Sequence, residues 1–155
     1  MPDFSRQFAY IAHCEDAAKL KQILANARNA NVNPIVDAAF RKLVNLVPGE
    51  KPGTLEFDFW RTIHAFEHLL SEERRRTTRL SRTRQKVARV GVRQTLIDWS
   101  EVSKETTGFR MLLDRNMADL TGEAIVLRHR DRFDEHTVAC ARRRLADEGI
   151  HQIEP

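Results

Sequence analysis

The stretch from Thr54 to Leu70, TLEFDFWRTIHAFEHLL, limits the choice of fold more than any other part of the chain. Phe57, Phe59, Ile63, Phe66 and Leu70 recur along it at near-helical spacing, with Thr54 placed to accept a bond from an orphan amide of the first turn. Seventeen residues without a glycine or a proline predict one long helix with an apolar face at the centre of the core.

The flanking sequence repeats the pattern in shorter pieces. Phe4, Phe8, Ile11 and Ala12 predict a first helix laid on the core, and Asp16 is placed to cap a second that buries Leu20, Ile23, Leu24 and Ala27. Asn33-Pro34 reads as the start of a third, with Asn33 as cap and Ile35, Ala39, Phe40, Leu43, Leu46 and Val47 as its stripe, closed by Pro48-Gly49. Beyond the central stretch, Ser81 is expected to cap a helix over 82–90 that Gly91 ends. Residues 92–102 form another, anchored by Leu96 and Trp99, with Arg93, Gln94, Thr95 and Asp98 facing outward or sideways. Further short helices are expected over FRMLLDRNM, over 121–128 and from Asp134 to Glu148, and the tail IHQIEP is expected to be loosely held. In TGEAIVLRH the short apolar run fits either a strand or a buried helix. The fold class is therefore all-α: a single compact domain over 1–155 of about seven or eight short helices, with GEKPG at 49–53 as a loop and the candidate sub-boundary.

Composition excludes several classes. At 41% apolar and 31% charged residues the chain is neither disordered nor fibrous. No apolar run approaches the roughly 18 residues that span a bilayer, and MPDFSRQFAY lacks the layout of a signal peptide, so a cytoplasmic protein without a membrane partner is expected. Cys14 and Cys140 have no metal-type spacing and are read as reduced thiols. No cofactor is implied: there is no Gly-rich phosphate loop, no G-x-S-x-G and no Cys/His cluster.

The clearest functional signal is electrostatic. Arg74 to Arg93 reads RRRTTRLSRTRQKVARVGVR, which carries +9 and no acidic residue; the whole chain carries +4, so the remainder sums to −5. Such a band suits a polyanion, because neutralised phosphates release counterions whatever the base sequence. The expected ligand is nucleic acid, DNA before RNA, held by Arg74, Arg75, Arg76, Arg79, Arg82, Arg84, Lys86 and Arg89, in an accessory or regulatory role without catalysis. A degenerate helix-turn-helix is a sharper form of the idea, with helices over 83–90 and 94–100 and Gly91 as the turn; Arg93 and Gln94 would then reach base edges. Val90, Val92 and Ile97 suit that template, whereas Lys86, Val87 and Ser100 depart from it. A second basic run, Arg142-Arg143-Arg144, either joins the band or forms a separate face.

Two alternatives stand beside this reading. One is a protein-interaction module, a homodimer or an adaptor to an acidic partner, with ion-paired arginines and Trp60 or Trp99 as anchor. The other is a small metal- or His-dependent hydrolase or nuclease. His64-Ala65-Phe66-Glu67-His68 spells H-x-x-E-H and so resembles the motif of the inverted zinc peptidases, which implies two imidazoles on zinc and a glutamate activating water. The resemblance covers five residues, and His64 and His68 lie about 150° from the apolar centre of the helix, toward solvent. Arg128-His129-Arg130 offers a histidine between two cations, a type suited to proton transfer on RNA.

Overall fold

A computed structural model describes residues 2–153, and among these every regular element is helical, with no strand. Packing divides the chain into two compact units, Met1–Gly49 and Glu50–Pro155, with the division at the start of the GEKPG segment.

The first unit holds α1 (Ser5–His13), α2 (Ala17–Asn29) and α3 (Asn33–Leu46), with α3 packed on both others. Asp16 caps α2 by accepting from the Ala18 and Lys19 amides, and Leu20, Leu24 and Ala27 are buried as their spacing predicts. On α1 only Ile11 is buried, while Phe8 stands exposed and meets Phe4 edge to face. Asn33 is not a cap: it lies inside α3, whose cap position Val32 makes no side-chain bond. On α3 Val44 is buried, and Val47, the cap residue just past the helix end, is exposed.

The second unit comprises α4 (Leu55–Arg74), α5 (Ser81–Glu101), α6 (Thr107–Asp114), α7 (Gly122–Arg128) and α8 (Glu135–Ala146), with one-turn 3-10 segments at Ala118–Leu120 and Arg130–Arg132. Thr54, Thr106, Thr121 and Asp134 each accept an amide bond at the start of α4, α6, α7 and α8. The ambiguous 121–129 stretch is therefore helical. Its helix α7 packs against α4, α5 and α8. The core joins Leu55, Phe59 and Ile63 of α4, Leu96 of α5, Ile125 and Val126 of α7 and Val138 and Ala141 of α8. Ile150 and Ile153 pack on Phe109, Ala124 and Leu145, so the tail is held as far as it is described; Glu154 and Pro155 lie outside the described residues.

Helix α4 is buried on more than one side. At about 100° per residue, Phe57 points away from Phe59, Ile63 and Phe66 and shares its side with His64 and His68, yet it is buried, with the Arg61 guanidinium over its ring. The two histidines are accordingly half-buried, contrary to the expectation of solvent. Helix α5 breaks at Gly91, whose φ of 88° and ψ of 168° few side chains tolerate. Thr95, expected outside, is fully buried, and its hydroxyl donates to the Gly91 carbonyl at 2.9 Å, within the break.

Candidate nucleic-acid interface

The basic band occupies the end of α4, the loop 75–80 and the first half of α5. The chain leaves α4 through Arg75, whose left-handed backbone (φ 55°) lets the Arg75 and Arg76 amides bond back to the Glu72 and Ser71 carbonyls. Ser71 then pins the loop, its hydroxyl accepting from the Thr78 amide at 2.8 Å. Glu67 pins the far end: it accepts from the Leu80 amide at 2.8 Å and from both arms of Arg84, at 2.9 Å and 2.6 Å. The Arg84 guanidinium lies over the Trp60 ring, 5.2 Å from its centroid. Burial disfavours ionised Glu67, but Arg84 and the Leu80 amide outweigh it and hold the carboxyl below the usual glutamate range; the pairing in turn raises Arg84.

This arrangement sorts the ten candidate residues into two groups. Arg84, Lys86, Arg93 and Gln94 are engaged within the chain: Arg84 by Glu67, Lys86 by Asp98 across the Gly91 break, Gln94 by the same Asp98 one turn on, and Arg93 by the Arg132 carbonyl at 2.7 Å and the Phe133 ring. The Lys86 ammonium, followed by the Gln94 amide, holds Asp98 below the usual aspartate range. Arg74, Arg75, Arg76, Arg79, Arg82 and Arg89 are exposed, and among the described residues none of their guanidinium groups has a partner. Arg82 and Arg89, two turns apart, share one face of α5.

The helix-turn-helix template fares less well. The two halves of α5 meet at one non-helical residue, where such a motif joins its helices by a turn of 3–4 residues. Val90, which the template wants buried, is 41% exposed. The reader residues Arg93 and Gln94 are already bonded within the chain.

Of the other basic and histidine-bearing segments, Arg144, Arg128 and His129 are tied into the fold, while the Arg130, Arg142 and Arg143 side chains are exposed and have no partner among the described residues. Arg144 bonds the Trp99 carbonyl at 2.8 Å, the Val102 carbonyl and buried Glu123, closing the end of α5 away from Arg82. Burial pushes the Glu123 carboxyl up, and Arg144 offsets part of that. Arg128 and His129 converge on buried Asp58, at 3.3 Å and 2.8 Å, and Arg61 reaches the same carboxylate at 3.3 Å. In the H-x-x-E-H segment, Glu67 is the anchor of Arg84, His68 lies 2.8 Å from Glu72, and burial with Arg84 lowers the pKa of His64. Among the described residues no three His, Cys, Asp or Glu side chains gather as metal ligands, and both cysteines are free. Trp99 stacks on Phe59 and Trp60 meets the same ring edge-on, so each candidate interface anchor commits part of its surface to packing and both remain partly exposed. No helix of the described residues is long and apolar enough to cross a membrane. Comparison with protein-family models, curated proteins and solved structures finds no match to this chain.

Proposed function

We propose that this protein binds nucleic acid, DNA in particular, through phosphate contacts from Arg74, Arg75, Arg76, Arg79, Arg82 and Arg89, and acts as an accessory or regulatory factor that does not read base sequence. The observation behind this reading is six exposed arginines without partners around a loop fixed by Ser71 and Glu67. Arg84 is neutralised by the Glu67 carboxylate; the six have no ion-pair partner among the described residues and keep their charge available. A pinned loop also lowers the ordering cost of binding. Because Arg93 and Gln94 are bonded at home, specificity for a base sequence is not part of the proposal.

The test is fluorescence anisotropy on random-sequence duplex DNA with the full chain and with Arg79→Glu, Arg82→Glu and Arg89→Glu combined. Loss of binding in the folded triple variant supports the reading; unchanged affinity removes it. The hydrolase alternative gains no specific support, since Glu67 and His129 are engaged by Arg84 and Asp58, and the interaction-module alternative gains none from Trp60, which packs on Phe59 under Arg84.

A further inference from the structure

Next to the arginine loop the second unit opens into an apolar cavity of about 260 Å³, walled by Phe66, Leu70, Leu80, Thr83, Trp99 and Met111. Two wall residues adjoin unpartnered arginines in the chain: Leu80 follows Arg79, and Thr83 follows Arg82. The wall is firmly set. Gly108 lies so close to Phe66 that a Cβ there would stand 2.2 Å from the ring, and Trp99 is held from behind by its stack on Phe59. At the rim, the Thr83 and Thr107 hydroxyls have no partner among the described residues, whereas Thr106 is occupied in capping α6.

We infer that this cavity receives an unpaired nucleobase from a strand whose phosphates lie on Arg79 and Arg82, so that the preferred ligand is single-stranded nucleic acid; this rests on the phosphate-binding reading above. A single strand combines a repeating anion with a flat, largely apolar ring that carries polar edges, and this surface combines cations, an aromatic-walled recess and rim hydroxyls. A duplex satisfies the first element only, because its bases are stacked and paired. The apolar side chain of an acidic peptide matches the cations and the recess but has no polar edge for the rim hydroxyls.

The experiment compares four probes by anisotropy on the full chain: a short mixed-sequence single strand, the same strand without bases, a duplex of equal length, and an acidic peptide with one central Phe. The single strand is expected to bind at least about fivefold tighter than the abasic strand, the gain of stacking one base. Thr83→Trp, which fills the mouth of the cavity from a half-buried position, is expected to erase that gain and leave duplex affinity unchanged; Thr107→Trp repeats the test from the opposite rim. If both strands and the duplex bind alike and neither tryptophan changes this, the inference is overturned while phosphate binding stands. Absence of binding to any nucleic acid removes both. A peptide that outcompetes the single strand and is blocked by Thr83→Trp overturns the inference in favour of a protein partner.

Discussion

Replacing Arg84 by Met tests the distinction between arginines that build the fold and arginines left for a ligand. The guanidinium forks onto Glu67, whose side chain is 11% exposed, and covers Trp60 while remaining 27% exposed itself. After Arg84→Met the carboxylate keeps the Leu80 amide and the neighbouring His64 ring at 3.9 Å. Breaking a buried pair costs about 3–5 kcal/mol; the surviving amide bond and the partial exposure of Arg84 bring the expected loss here to about 2–3 kcal/mol. For a chain of this length that is a fall in Tm of about 5–10 °C at pH 7, read by circular dichroism. The effect depends on pH in a defined direction. Glu67 has a folded pKa below its ordinary 4.5, so the pair contributes stability above that value and loses it as pH falls through the folded pKa. In the variant, burial dominates and the sign reverses, so the two melting curves converge in acid. Arg82→Met, two residues earlier, is expected to leave Tm unchanged. An Arg84→Met protein that melts with the parent at pH 7 would refute the reasoning.

Further outcomes follow from the same geometry. Gly91→Ala meets no atom within 4 Å, so its cost is backbone strain alone, about 1–3 kcal/mol by urea unfolding, because φ 88° with ψ 168° is nearly glycine-only. Glu123→Gln should flatten the pH dependence above 4.5: the folded pKa of Glu123 is raised by burial, so its contribution is complete below 4.5 and declines as pH rises through the folded value. His64→Gln should remove a loss of stability as pH falls below 6.5, because burial and Arg84 depress the folded pKa and the unfolded chain takes up the proton first. Both slopes are measured by chemical denaturation across pH.

Local chemistry was readable from the sequence where it acts within a few residues. Asp16, Thr54 and Asp134 cap the helices they precede, and Gly91 breaks α5 with the positive φ assigned to it. What depends on distant partners was not. Spacing places Glu67 on α4 but cannot show that it meets Leu80 and Arg84 thirteen and seventeen residues on, which removes Arg84 from the free band. The apolar pattern of α4 suggested one face, and Phe57 is buried on another, which also takes His64 and His68 out of open solvent. Ser81 has capping chemistry, yet it is the first residue of α5, and the cap position falls to Leu80, whose amide Glu67 holds in place. The cavity is assembled from α4, the arginine loop, α5 and the start of α6, and no contiguous stretch of sequence encodes it.

The central claim is most directly tested by the salt dependence of binding to random-sequence duplex DNA. With Arg74, Arg75, Arg76, Arg79, Arg82 and Arg89 as the proposed phosphate contacts, a plot of log K against log salt should fall with a slope no steeper than about −5, since each phosphate neutralised contributes about −0.9. The slope should become shallower by about 0.9 for each of these arginines replaced by Met, and Arg84→Met should leave it unchanged. A slope near zero, or one that responds to Arg84 and not to Arg82, would contradict the account.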